Sequence, residues 1–416
     1  MSEITQEKLI SQRGRKKGSK NKPKQTSGLF NVLLEKQIKN TPICRENALG
    51  WVNFGSRNTY PYDLLDLYNQ SVTHHAAIDF FQNAVVGQGL DFEAMNLSED
   101  KLQMPNKDMD WTTFIRSLAF DLGIFNAFAF EIILNKDRKT YSYYYIDFSK
   151  VRLSAAKDED GKPISAFICE DWSAYMKYGY QEIPIYHYSD GERIEYGKPY
   201  IYIYMAQSPL SVYPTPFYAA GIRAIQSECE IMNFELRHIV NNFAPSGVLT
   251  LPPTETDEEK EAIVNNVQRM FTGSDNANNL MITFSNGISG EDGNNVHFEP
   301  FVKDNTADIY QSFNNRTIER ICAAHKIPSK SLIGYQLEGN GFSSEGSLLE
   351  AAYSLYNINM ASTYRNILTN AINQALKANG VDANLILKPL QYQLEDAEDQ
   401  SNETNEENVV EENNNE

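Results

Sequence analysis

Two long amphipathic segments flanking a short insert constrain this chain more than any other feature. Residues 217–243 place Ile225, Cys229, Met232, Leu236, Ile239 and Phe243 at alternating steps of four and three. That spacing predicts one apolar stripe along a helix about 40 Å long at 1.5 Å per residue. Pro245 and Gly247 stop it, and residues 304–325 return as a second helix carrying Ile309, Phe313 and Ile321. The insert reads as strand 248–251, a helix from the capping box Thr256 to Glu259 out to about Phe271, and strands 280–284 and 296–301 around Asn286-Gly287. A module of this size buries little core of its own. Neighbouring copies are expected to complete it, with Met270 and Phe271 in the assembly contact.

The remainder reads as α+β. Residues 72–86 repeat Ile78, Phe81, Ala84 and Val85 at helical spacing and end at Gly87-Gln88-Gly89. A second helix is expected over 111–122. Strands follow at 127–134, 141–148, 151–153, 164–168 and 200–205, rich in Tyr, Phe and Ile. A third long helix carries Leu349, Tyr353, Tyr356, Met360, Tyr364, Ile367 and Ala371 on one face and stops at Asn379-Gly380. Before it, residues 334–346 form a polar loop whose hinges are Gly334, Gly339, Gly341 and Gly346.

The net charge of −18 is spread unevenly over the 416 residues. Residues 1–24 carry +6, residues 393–416 carry −10, and the rest carries −14. Phosphate contacts need Lys and Arg in excess, so an acidic body is unsuited to gripping DNA. The arm is different: Arg13, Arg15, Lys16, Lys17, Lys20 and Lys22 make it a polyanion-binding segment. It resembles an AT-hook, with Lys16 where such hooks have proline. The Glu- and Asn-rich tail from Glu395 lacks the apolar residues to form a core and is expected to be disordered.

Chemistry-bearing patterns are sparse. Cys44, Cys169, Cys229 and Cys322 make no CxxC pair, so neither a zinc site nor a disulfide framework is indicated. No G-x-x-x-x-G-K-[ST] occurs, so any motor must be another chain. His74-His75 with Asp79 lacks an H-E-x-x-H pattern, and adjacent helical residues point about 100° apart, which argues against a metal site. Asp158-Glu159-Asp160 before Gly161 reads as a turn. The tyrosines of 141–145 and 200–204 suit either base stacking or, better, alternating core-facing strands. The expectation is therefore no catalytic residue, no metal, no cofactor and no enzyme. No apolar run approaches the roughly 20 residues of a membrane helix, and the basic N-terminus lacks the apolar region of a secretory signal.

The order of these segments resembles the portal protein of tailed bacteriophages. The residues that carry the resemblance are Tyr60-Pro61-Tyr62-Asp63-Leu64-Leu65, Asn83-Ala84-Val85-Val86-Gly87, the run 216–243 into Ala244-Pro245-Ser246-Gly247-Val248-Leu249, and Ala324-His325-Lys326-Ile327-Pro328-Ser329-Lys330-Ser331-Leu332-Ile333-Gly334. It spans roughly residues 55–392, with Phe125-Asn126 where many relatives carry a glycine before the asparagine.

The resemblance implies a portal fold: an α/β wing over 25–215, stem helices over 216–243 and 304–333, a clip over 244–303, a tunnel loop over 334–346 and a C-terminal wing over 347–392. It implies a homo-oligomeric ring, a dodecamer, at one capsid vertex of the virion, made in the bacterial host cytoplasm. Double-stranded DNA would pass through its channel during genome packaging and ejection. Terminase, the major capsid protein and head-tail connector proteins would be its partners. The loop residues Gln336, Glu338, Asn340, Phe342 and Glu345 would face the DNA. The alternatives are a capsid-associated adaptor without a channel and a nucleic-acid-processing enzyme.

Overall fold

The computed structural model describes residues 38–39, 41–98, 102–188, 194–209, 211–240, 247–251, 256, 258–259, 261–263, 281–284, 297–300, 306–335, 342–381 and 384–390. The chain combines helices with four small sheets among the described residues. Strands β1 (Arg45–Glu46) and β2 (Val52–Asn53) pair antiparallel and lead into α1 (Tyr60–Gln70) and α2 (Val72–Val86). Ser71 separates the helices because its extended backbone leaves α1, while its hydroxyl accepts the His74 N–H at 3.1 Å and caps α2. Gly87 ends α2 at a φ of 64°. A Cβ there would sit 2.0 Å from the Lys388 carbonyl oxygen. Only glycine lets the C-terminal segment lie alongside, where the Gln88 N–H donates to Lys388 and the Lys388 N–H to Gly89, both at 2.8 Å.

Helix α3 (Trp111–Phe125) runs past the expected end at Leu122 and stops at Asn126, whose φ of 59° is the left-handed cap. It feeds β3 (Ala127–Leu134), which pairs with β4 (Tyr141–Ile146). The expected strand to Phe148 ends earlier because Asp147 caps a short helical turn, Phe148–Lys150. Strands β5 (Val151–Leu153), β6 (Ser165–Ile168) and β7 (Gln181–Pro184) form a second antiparallel sheet, with the single turn α4 (Tyr175–Tyr178) between β6 and β7. Strand β8 (Tyr200–Met205) returns to the other edge of β3.

Strand β3 is buried on both faces, so its alternation sorts two cores. Phe128, Phe130 and Ile132 join Phe114, Leu118 and Leu122, whereas Ala127 and Ala129 join Ile124, Phe125, Phe148 and Val151. Tyr202 lies against Phe130 at 5.0 Å and Tyr204 stacks on Phe128 at 5.1 Å. These tyrosines line the core rather than offer a stacking platform. The acidic turn also forms as expected, with the Lys162 N–H donating to Asp158 Oδ1 at 2.7 Å.

The first long helix opens with a tight turn, Ala219–Gly221, and continues as α5 (Ile222–Val240). Strands β9 (Gly247–Leu251), β10 (Met281–Phe284) and β11 (His297–Pro300) make a small sheet in the order β10-β9-β11. The second and third strands do not pair around Asn286-Gly287 as the turn signal suggested. Each pairs with β9, and β10 runs parallel to it. A parallel pair needs a crossover, and the described part of that connection is helical at 258–259 and 261–263, with the Glu259 N–H donating to Thr256 Oγ1 at 3.3 Å.

The second long helix is α6 (Thr306–Ala324), followed by a turn, Lys330–Ile333, that ends at Gly334 with φ 94°. Next comes α7 (Phe342–Tyr356), a π-helical turn (Asn357–Ala361) and α8 (Ser362–Ala378). The loop expected to run to Gly346 is therefore shorter: Phe342, Glu345 and Gly346 belong to α7. The π turn falls where the apolar stripe takes two successive steps of four, from Tyr356 to Met360 to Tyr364. At 100° per residue each such step drifts by about 40°, and a wider turn reduces the drift. Gly380, with φ 77°, ends the helix as expected. Among the described residues no helix is long and apolar enough to cross a membrane.

Candidate functional site

The two long helices leave and rejoin the body at one buried polar joint, which the N-terminus of α2 organises. A helix N-terminus presents unpaired N–H groups and partial positive charge, so it attracts a carboxylate. Glu228 of α5 supplies one from 4% exposure. Its Oε2 accepts the Ser71 hydroxyl, and its Oε1 accepts the Thr73 hydroxyl and, at 3.3 Å, the Thr73 N–H. With its own proton directed to Glu228, the Thr73 oxygen accepts from the Tyr335 hydroxyl at 2.7 Å. Tyr335 follows Gly334, so the base of the expected loop is tied to α2 and, through Glu228, to α5.

At the next residue, His74 Nδ1 lies 2.9 Å from Nε2 of His325, which follows the end of α6. Both histidines are fully buried. Tyr218 stacks on the His325 ring at 4.9 Å and tilts against His74 at 4.6 Å, and its hydroxyl donates to the Ile124 carbonyl at 2.9 Å. Burial holds His325 down at about 3, and burial with the neighbouring imidazoles of His325 and His75 holds His74 well below the ordinary histidine range. The neutral pair is thus the folded form at neutral pH. Below it, Gly221 passes so close to α6 that a Cβ would meet the Ala324 Cβ at 2.5 Å.

His75 behaves differently from His74, as the angular argument requires. Its ring stacks on Tyr68 at 4.1 Å and approaches Asp79 at 3.4 Å. Among the described residues no group of three or more His, Cys, Asp or Glu is placed to hold a metal. Arg365 of α8 reaches the C-terminal end of α2, with Nη2 donating to the Ala84 carbonyl at 2.7 Å and Nε to that of Val85 at 3.0 Å. Both ends of α2 therefore hold long-range partners of complementary charge.

The stripe on α5 divides in two. Ile225 and Cys229 are buried, while Met232 and Leu236 are 39% and 60% exposed. Phe313 on α6 is 49% exposed, and Leu348, Leu355 and Ile358 stand out from α7 and the π turn.

The expected site residues distribute unevenly. Arg13, Arg15, Lys16, Lys17, Lys20 and Lys22, the assembly residues Met270 and Phe271, and Gln336, Glu338, Gly339, Asn340 and Gly341 lie outside the described residues. Gly334 closes the turn before the loop, and Phe342, Glu345 and Gly346 are helical. The joint itself had one local signal, Ser71 as a cap between two helical runs. Nothing local links His74 to a residue 251 positions away.

No family model matches this chain, and no curated protein matches its sequence. Its fold does have neighbours. A chain from the neck of an empty gene transfer agent particle, computed with C6 symmetry, is 13% identical, with a TM-score of 0.53 over 83% of this chain and 87% of its own. One from the neck of the native particle, computed with C12 symmetry, is 13% identical, with a TM-score of 0.51 over 83% and 88%. An HK97-family phage portal protein from Corynebacterium diphtheriae aligns over 81% and 96% at 11% identity, but its TM-score of 0.35 is too low to carry weight. At these identities the likeness is one of fold, and the portal resemblance read from segment order accords with it.

Proposed function

We propose that this chain is the subunit of a portal ring: a homo-oligomer, twelvefold in the particle, that occupies one vertex of a tailed-phage-like capsid and passes double-stranded DNA during packaging and ejection. The observation that carries the reading is the fold shared with neck chains over 83% of the sequence, one of them in a C12 assembly. In this reading α5 and α6 are the stem, the β9-β10-β11 module is the clip, residues 25–215 and 347–392 are the wing, and the segment after Gly334 is the tunnel loop, shortened by α7. The exposed residues of α5, α6 and α7 then face neighbouring subunits. An acidic body suits a conduit along which DNA slides without sticking. Terminase would dock at the clip before connector proteins replace it, and the wing would meet the major capsid protein.

Electron microscopy of the purified full chain tests this reading. Closed rings with an axial channel are expected. A monomer or compact dimer at all concentrations that support assembly of the capsid would leave the adaptor reading in its place.

A further inference from the structure

The joint contains a contact that is costly for the folded chain as it stands. In a neutral imidazole one ring nitrogen carries a proton and the other does not. Whichever histidine donates across the 2.9 Å contact, the outer nitrogens, His74 Nε2 and His325 Nδ1, comprise one proton and one lone pair. Neither has a hydrogen-bond partner among the described residues. A buried polar atom left unpaired has given up its hydration with no hydrogen bond in exchange. The pair joins two elements far apart in sequence, α2 and the end of α6, so it holds tertiary structure rather than one helix.

The groups around it do not welcome a positive charge. From α5, Glu228 directs both oxygens to Ser71 and Thr73. Before α5, Tyr218 turns its hydroxyl to the Ile124 carbonyl. From α6, the Cys322 thiol is pushed up to about 11 by burial and stays neutral. From the loop base comes Tyr335, whose hydroxyl is engaged with Thr73, while Lys330 acts on the Cys322 thiol. On α2, His75 adds repulsion, and Asp79 is held against His75 and Tyr68 on the exposed side.

We propose that the His74–His325 contact is a proton-sensitive latch: a proton entering the pair opens the joint between α2 and the end of α6, and releases the loop base at Tyr335 from α2. The coupling is geometric, because Thr73 and His74 are consecutive and hold Tyr335 and His325 respectively. The latch belongs to a single chain and stands whether or not the ring reading does. Its sign follows from linkage. The closed pair excludes protons that the open pair binds at the ordinary value of about 6.5, so closure is complete above that pH and weakens as pH falls below it.

Hydrogen exchange of the intact chain, measured by mass spectrometry at pH 7.5 and pH 5.0 and corrected for intrinsic rates, tests the latch. Peptides covering 68–78 and 321–335 should exchange about thirtyfold faster at pH 5.0 for one histidine protonated on opening. Peptides from 368–378 should not change. The double variant His74→Leu with His325→Phe should flatten the response at 321–335, whereas His325→Gln, which leaves His74 to take up a proton on opening, should show no more than the one-histidine response. No local acceleration in the wild-type chain, acceleration spread evenly over the chain, or an unchanged response in the double variant would overturn the proposal. The wild-type comparison decides even where a variant does not fold.

Discussion

At the residue scale, buried polar groups divide into those the fold satisfies and those it tolerates. Glu228 is satisfied: three donors converge on it at a helix N-terminus. Glu228→Ala should destabilise the chain by about 3 kcal/mol in urea unfolding, because it strands those donors. Glu228→Gln, which keeps one carbonyl oxygen, should retain more than half of that; equal losses in both variants would show that packing rather than hydrogen bonding holds the site. Asp121 is tolerated. It accepts the Phe148 N–H at 3.0 Å and the Tyr145 hydroxyl at 3.1 Å, yet burial, with Asp147 nearby, raises its carboxyl well above the ordinary range. A raised carboxyl binds its proton more tightly folded than unfolded, so its contribution is present at low pH and lost as pH rises from about 4. Asp121→Asn can make the same two contacts without charge. Its melting temperature should equal the wild type's near pH 4 and exceed it at pH 7, and a variant less stable than wild type at pH 7 would refute this account. The trend is opposite to that of the histidine pair, so the two are separable in one pH series.

Individual elements were legible in the sequence where periodicity ran long enough. Helix α2 and strands β3 and β8 were read to their end residues because each carries several turns or alternations of apolar side chains, and the three-residue β5 was placed by its apolar Val151 and Leu153 alone. Strands β1, β2 and β7 were missed, since two to four residues give alternation nothing to repeat. The β10–β11 hairpin was misread for a different reason. Asn-Gly favours a local turn, but strand pairing is decided by which neighbour completes a sheet, and β9 lies between the two. The polar joint was the least legible, because its contacts span 155 to 262 positions and depend on all the packing around them. The stripe on α5 was legible in position but not in role: Ile225 and Cys229 are buried in this chain, whereas Met232 and Leu236 are exposed. Leu236→Asp and Phe313→Asp should therefore change the thermal stability of the single chain by no more than about 0.5 kcal/mol, the usual range for surface positions. The same variants should shift assemblies to monomers in sedimentation. Normal assembly with both charges in place would remove α5 and α6 from the subunit interface.

At the scale of the whole molecule, charge separates three regions: +6 over residues 1–24, −14 over the body and −10 over residues 393–416. A polyanion meets attraction only at the arm, and it competes there with the chain's own acids. Each phosphate neutralised on duplex DNA releases condensed counterions and contributes about 0.9 to the log-log salt slope. Eight bases in the arm therefore cap the slope near 7, and the acidic tail lowers the observed value by competing for the same bases. Titrating a labelled duplex of mixed sequence between about 20 and 200 mM salt measures this directly. The full chain should bind at low salt and release as salt rises. Deleting residues 1–24 should abolish most of that binding, whereas deleting residues 393–416 should strengthen it and steepen the slope. If the chain lacking its arm binds as tightly as the intact one, a basic groove exists on the body despite its net charge, and the account of an acidic conduit with one adhesive arm fails.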